Sequence, residues 1–441
     1  MKAPAPAMFR SLRRRNFRLF LSGQLVSNLG TWMQNVALVW LVLQITHSPF
    51  DVGVVSAVQF VPALLFGAYG GVVADRFPKR SLLVFTQSGL ALSAATLATL
   101  DLTGVRPLWA IYGVTFISGT FGSIDMPTRQ AFVSEMVGMD DLTNAVGLNS
   151  ATFNLTRIGG PALGALVIDV ANVGDCFALN ALSYLAVIGA LLAMRTDELS
   201  AVRQVAHARG QVREGLRYIR GTPRLVEALA LLVVAGTLAF NFNTVLPVLA
   251  KTDFKGDAST YAFMLIAMGV GSVAGALSAA RNRGPRLSVV VGAAIAMSAV
   301  MLVVAVARSL DLEVALLVLV GFFSLLYLST TNSTCQLASA PEMRGRVMGV
   351  YSVIFTGSTP VGALLIGLVD QELGARWGFV VGGVPTLVAA VVLGVVLWRR
   401  QGPGTGSPGS HRGPAFPGRG ALAVLTGRTD RHGGVQGGSE R

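Results

Sequence analysis

Apolar residues along this chain run in long blocks rather than in alternation. The segment 288–307 reads SVVVGAAIAMSAVMLVVAVA. Strands of a transmembrane barrel would alternate apolar and polar positions over ~10 residues, so a barrel is excluded. A helix rising 1.5 Å per residue needs ~20 mostly apolar residues to cross a ~30 Å hydrocarbon core. On that rule the apolar blocks predict helices over 18–44, 52–74, 81–101, 107–136, 142–169, 174–194, 223–250, 259–280, 286–307, 312–339, 345–369 and 377–398. The first block follows Arg10, Arg13, Arg14, Arg15 and Arg18. It exceeds the 7–15-residue apolar core of a signal peptide and is expected to stay attached as helix 1.

Composition agrees with a membrane class. Of 441 residues, 52% are hydrophobic and 13% charged, against roughly 25% charged in ordinary soluble domains. A net charge of +13 would invite a nucleic-acid reading, but the positives lie in loops and tails with no aromatic-studded basic domain, so no nucleic-acid partner is expected. They serve topology instead, because cytoplasmic loops concentrate Lys and Arg. With twelve helices and both termini inside, only Arg106, Lys251, Lys255, Arg308 and Arg376 of the 35 basic residues fall on the outer face, and Arg157 falls within helix 5. Lysine scarcity beside abundant Ala, Gly and Val is compatible with a GC-rich bacterial genome, which makes the cytoplasmic (inner) membrane the expected location.

The expected organisation is a cytoplasmic tail (1–17), a six-helix half (18–194), a cytoplasmic linker (195–222), a second six-helix half (223–400) and a disordered cytoplasmic tail (401–441). The linker carries Leu216 and Ile219 as a small apolar edge at helical spacing. The final tail is rich in Gly, Pro, Ser and Arg, too polar to bury a core. Echoes between Gly147-Leu148-Asn149-Ser150 and Gly349-Val350-Tyr351-Ser352, and between Pro161-Ala162-Leu163-Gly164-Ala165 and Pro360-Val361-Gly362-Ala363, favour two duplicated halves. Such halves are the architecture of secondary transporters.

Between helices 2 and 3 stands Gly70-Gly71-Val72-Val73-Ala74-Asp75-Arg76-Phe77-Pro78-Lys79-Arg80. Its glycines permit close backbone approach, and Asp75 with Arg76, Lys79 and Arg80 forms a charged latch. The string closely resembles the loop signature of the major facilitator superfamily, Gly-x-x-x-Asp-Arg-x-x-Arg/Lys-Arg/Lys, with Pro78 where the family has glycine. The resemblance implies that Asp75 engages helix dipoles and basic groups of the other half in the outward-open state. The corresponding second-half loop, 281–286, has lost its acid.

Asp125 and Arg129 stand i,i+4 near the end of helix 4 and pair on one face. Asp125 lies ~10 residues, about 15 Å, from the cytoplasmic end, where an acid is costly unless paired or hydrated. Arg157 in helix 5 sits at similar depth, so a cluster of Asp125, Arg129 and Arg157 is expected. Two readings stay open: a proton-coupling or gating carboxylate, or a permanently ionised brace between helices 4 and 5. In helix 5, Thr156-Arg157-Ile158-Gly159-Gly160-Pro161-Ala162-Leu163-Gly164 bends the helix and lets it pack closely. Gly160, Pro161 and Gly164 look like the antiporter signature of drug exporters, Gly-x-x-x-Gly-Pro-x-x-Gly-Gly, although Thr156 and Ala165 replace two of its glycines. With Asp-x-Pro-x-Arg-Gln at 125–130, Asn144-Ala145, and Pro341-Glu342-Met343-Arg344-Gly345-Arg346-Val347, the chain resembles the enterobactin-exporter and macrolide-efflux branch over about residues 10–400. That resemblance implies proton-driven export of siderophores, antibiotics or related organic molecules.

Gln24, Asn28 and Trp32 share one face of helix 1. With Asn241 and Asn243 in helix 7, and Asn332 and Gln336 in helix 10, they form the expected substrate cavity. Amides and aromatics suit an amphipathic organic molecule, although each alone is an equally good interhelical contact. Gly269-x-Gly271-x-x-x-Gly275 lacks the context of a dinucleotide site and reads as helix packing. No histidine falls in the bundle, and Cys176 and Cys335 form neither a disulfide framework nor a metal site. The expectation is therefore an all-α integral membrane protein, twelve transmembrane helices in two pseudo-symmetric halves. It acts as a monomeric proton-coupled exporter of a small organic molecule, not an enzyme, without cofactor or metal. An importer or lipid flippase on the same fold and a transport-inactive sensor or assembly protein are the alternatives.

Overall fold

The computed structural model describes residues 7–199, 211–281 and 287–400. The tail 401–441 and the acid-free loop 282–286 lie outside them, as does 200–210 of the linker. Residues up to Leu397 belong to one compact unit. Its helices are α1 (Arg15–Thr46), α2 (Pro49–Arg76), α3 (Lys79–Leu102), α4 (Leu108–Val170), α5 (Val173–Leu192), α6 (Gln211–Arg220), α7 (Pro223–Leu238), α8 (Phe242–Thr252), α9 (Ala258–Arg281), α10 (Leu287–Val304), α11 (Leu310–Leu337), α12 (Arg344–Leu373) and α13 (Ala375–Arg400). Among the described residues ten segments are long and apolar enough to cross a bilayer, with α7 and α8 together counting as one.

Three features depart from the sequence expectation. The predicted helices 107–136 and 142–169 both form, but they abut at a kink at Gly138 (φ 72°, ψ 177°) rather than across a loop, and are numbered together as α4. That left-handed φ is open to glycine and costly for other residues, so the junction turns without a loop. Conversely, the predicted helix 223–250 is broken at Ala239–Asn241 into α7 and α8. The linker segment also differs: Ile219 is buried while Leu216 stays exposed, so the two do not share one covered edge. The α6 segment docks through a Glu214–Arg346 ion pair of 2.5 Å and through the Tyr218 hydroxyl, which accepts from the Ala340 amide at 3.0 Å.

Three main apolar clusters hold the helices. One gathers Leu38–Leu43 of α1, Val52 and Val55 of α2, Val245–Ala250 of α8, Tyr261 and Met264 of α9, Ile366 of α12 and Phe379 of α13. It surrounds the end where α1 hands over to α2 and α12 to α13, called here the sealed end. The other two share no helix. Phe17, Phe20, Leu83, Phe132, Val187 and Leu191 belong to α1, α3, α4 and α5, whereas Leu225, Leu232, Val290, Tyr327, Val347 and Ala390 belong to α7 and α10–α13.

Glycine sets the closest helix contacts. At the sealed end, a Cβ built on Gly367 would lie 3.0 Å from the Gly53 Cα and 3.1 Å from the Pro49 carbonyl oxygen. The Ser48 hydroxyl, which caps α2, also donates to Gln371 at 2.9 Å. Gly271 and Gly275 bring α9 onto the backbone of α11 at Val318 and Phe322.

Candidate functional site

Asp125 is only 4% exposed and fully engaged. One carboxylate oxygen accepts from the Thr86 hydroxyl (2.7 Å) and the Gln87 amide (2.8 Å), both on α3. The other accepts from Arg129 Nε, one helical turn on. Arg129 then reaches across to α1, donating through Nη1 to Gln24 Oε1 and, at 3.3 Å, to Asn28 Oδ1. Buried charge is tolerated only when paired and hydrogen-bonded, and here one acid and one base tie α1, α3 and α4 together.

Arg157 does not join them. It lies on the far side of the Gly138 junction with its guanidinium 5.9 Å from the Trp32 ring centroid, and it has no carboxylate partner among the described residues. The expected three-residue cluster is thus a pair, because α3 supplies the donors that a second arginine would have provided. Trp32 also meets Phe153 edge-on at 5.9 Å. Its backbone is drawn close by Gly160, where a Cβ would collide with Trp32 and come within 3.0 Å of the Leu29 carbonyl. A Cβ at Gly164 would stand 3.3 Å from the Met33 carbonyl. Gly160 and Gly164, with Pro161 between them in the helix, thus seat this part of α4 on α1.

In the latch, Lys79 is buried and pairs with Glu135 at 2.6 Å. Arg80 caps the C-terminus of α5, donating to the Leu191 and Leu192 carbonyls at 2.7 and 3.1 Å. These carbonyls have no partner inside their own helix, and the cation also meets the negative end of the helix dipole. Arg76 is exposed and Asp75 half-buried in the last turn of α2. The close approach to α4 is made by Gly70, whose Cβ would sit 2.5 Å from the Ser123 carbonyl, while Gly71 faces open space. The expected role of Gly71 in that approach passes to its neighbour.

The second-half members of the expected cavity divide. Gln336 donates to Asn332 at 2.5 Å along α11. Asn241 is buried at the α7/α8 break, donating to the Thr237 carbonyl at 2.7 Å, and lies against Gly362 of α12. Asn243 is exposed.

Sequence reasoning passed over two acids at the sealed end. Glu313, in the first turn of α11, is 0% exposed, and Asp370, in the last turn of α12, is 2% exposed. None of their four carboxyl oxygens meets a hydrogen-bond partner. Near them Arg376 is paired with Asp253 at 2.7 Å. A cavity of about 310 Å³ at the same end is lined in part by Asp370, Lys251, His47 and Gln371.

A family profile described as "Transmembrane secretion effector" matches residues 6–403. The chain belongs to that family. It is a major facilitator transporter of the efflux branch, a multi-pass membrane protein and not an enzyme. The staphyloferrin A transporter of Staphylococcus aureus is 23% identical over 385 residues, covering 85% of this chain and 94% of that protein. The multidrug efflux pump Tap of Mycolicibacterium fortuitum is 27% identical over 388 residues, with the same two coverages. Among solved structures, a bacterial homolog to the human lysosomal transporter Spinster, inward-facing and unoccupied, superposes with a TM-score of 0.67 at 11% identity, covering 87% of this chain and 95% of that one. That likeness speaks for the fold alone. Family and relatives together make this effector a transporter that moves small molecules out.

Proposed function

We propose that this effector exports an amphipathic organic molecule of drug or siderophore type in exchange for protons, by alternating access, as a monomer in the bacterial cytoplasmic membrane. The reading takes twelve crossings in two six-helix halves with both termini inside. The α4 element holds two helices that meet at the Gly138 kink, and each, at 1.5 Å per residue, is long enough to cross the hydrocarbon core once, so α4 supplies two crossings. Basic residues concentrated away from the sealed end put that end outside.

The observation that carries alternating access is the division of the apolar core. One cluster joins both halves at the sealed end, and separate clusters hold each half at the other. Halves that share a core at one end, touch as far as mid-helix at Gly357–Leu64 and Gly269–Ile158, and hold separate cores at the other end fit an inward-facing transporter. In this state Lys79 and Arg80 bind within their own half, consistent with a latch that engages when the protein faces outward. Asp125 and Arg129 act as the brace between α1, α3 and α4, and Trp32, Arg157 and Asn28 contribute to the substrate surface.

Accumulation of fluorescent drugs and siderophores in cells making the chain, with and without a protonophore, tests the proposal. Several-fold lower accumulation that the protonophore abolishes is expected. Unchanged accumulation across such a panel, with the protein in the membrane, rejects it.

A further inference from the structure

The sealed end holds more acid than it has donors. Asp253, following α8, takes the Arg376 Nε. The Arg376 Nη1 donates to the Ala305 and Ala307 carbonyls, and its guanidinium lies over Phe254 at 5.9 Å. No hydrogen bond from Arg376 reaches either carboxyl oxygen of Glu313. Asp370 faces Gly378 across the α12–α13 turn, and neither of its carboxyl oxygens makes a hydrogen bond. On the α8 side, Lys251 gives its ammonium to the Leu43 carbonyl (2.8 Å) and stands 3.2 Å from His47 Nδ1. The charged and titratable groups facing the two acids are therefore Asp253, Arg376, Lys251 and His47, and none bonds either carboxyl. An ionised carboxylate buried without partners costs several kcal/mol, whereas a neutral acid costs far less.

We propose that Glu313 and Asp370 form a proton-binding site loaded from the outer face, and that the outer end seals only when both carboxyls hold a proton. The cavity of about 310 Å³ lined in part by Asp370 is the route by which outside water reaches that carboxyl. On sealing, each of the two carboxylates takes one proton from hydronium in that water, forming one O–H bond on one of its oxygens and leaving a water molecule. On opening, the O–H breaks and the proton returns to water as the carboxylate is rehydrated. This deepens the antiport reading and rests on it for the sidedness, placing the outer proton-loading step away from Asp125, which is already saturated with donors.

The test uses the full chain in lipid nanodiscs, with Cys176 and Cys335 replaced by alanine. Spin labels at Thr46→Cys and Glu372→Cys flank the Ser48–Gln371 contact. The parent is expected to show a protonated-carboxyl infrared band that fades from mildly acidic to mildly alkaline buffer, together with a lengthening of the label distance. In Glu313→Gln/Asp370→Asn the band loses intensity and the distance stays short at every pH, since amides mimic the neutral acids. An unchanged band and an unchanged pH response in the double variant overturn the proposal. So does loss of the response in His47→Gln while the double variant still opens, which assigns the titration to the histidine. Transport separates the two readings. Protonophore-insensitive export with the band and gating intact rejects antiport but keeps the proton site. Protonophore-sensitive export with neither band nor gating affected in the double variant rejects the site alone.

Discussion

Asp125 and Glu313 are both acids buried in an apolar bundle, yet their surroundings are opposites. Three donors, from Thr86, Gln87 and Arg129, converge on the first, and none reaches the second. A third acid, Asp257, marks the ordinary case at the sealed end: it lies in the loop before α9, accepts from the Thr260 amide at 3.0 Å, and that bond chiefly holds its carboxyl below the usual range. Burial by itself therefore does not define the role of an acid in this transporter. The supply of donors does, separating a carboxylate that braces from a carboxyl that must carry its own proton to be enclosed.

The comparison breaks most directly at Asp125. Asp125→Asn leaves Arg129 buried without a counter-charge, and graded denaturation in mixed micelles is expected to show a loss of roughly 3–5 kcal/mol. Glu313→Gln replaces one neutral group by another and is expected to cost about 1 kcal/mol or less; an equal loss at both sites would erase the distinction. Thr86→Val removes one hydrogen bond to a charged acceptor, and about 1.5–3 kcal/mol should disappear in the same assay. Gly53→Ala drives a methyl into the Ala363 carbonyl, a misfit worth about 1–3 kcal/mol. Because the clash exists only while α2 lies on α12, the spin-label distance should lengthen at every pH, sharpening the link between seal and acids. At Arg157→Gln, loss of the Trp32 contact costs about 0.5–2 kcal/mol and should raise the substrate KM for export without altering the pH at which the outer end opens.

Much of the fold could be read from the sequence because membrane helices are written in long blocks. The i,i+4 spacing of Asp125 and Arg129 likewise announced their pairing, which is a property of one helix. The partners on α3 were hidden: Thr86 and Gln87 are ordinary polar interruptions until tertiary packing brings them to the acid. Arg157 was misplaced for the same reason, since sequence gives depth along a helix but not which neighbour its side chain meets. The kink at Gly138 that takes the place of a loop within α4 and the division of α7 from α8 turn on backbone dihedrals at Gly138 and Ala239–Asn241, which apolar periodicity does not register. Glu313 and Asp370 were missed because they stand at the margins of apolar blocks, where an acid looks like a solvated loop residue. Only the closure of α8, α12 and α13 around them makes them interior.

The facing of Gly53 and Gly367 has a consequence for how fast the outer seal works. Side chains that interlock must change rotamer, one after another, before two helices separate, and each change adds a small barrier. Here bare backbone rests on bare backbone, and the peptide groups on both sides already hold their hydrogen bonds within their own helices. Parting them forfeits dispersion contacts and the Ser48–Gln371 bond, and beside them the Lys251 ammonium gives up the Leu43 carbonyl, so few polar contacts have to be unlatched along the way. The seal behaves as a low-friction bearing, so the waiting time between cycles is set by chemistry at its edges rather than by the surfaces that slide.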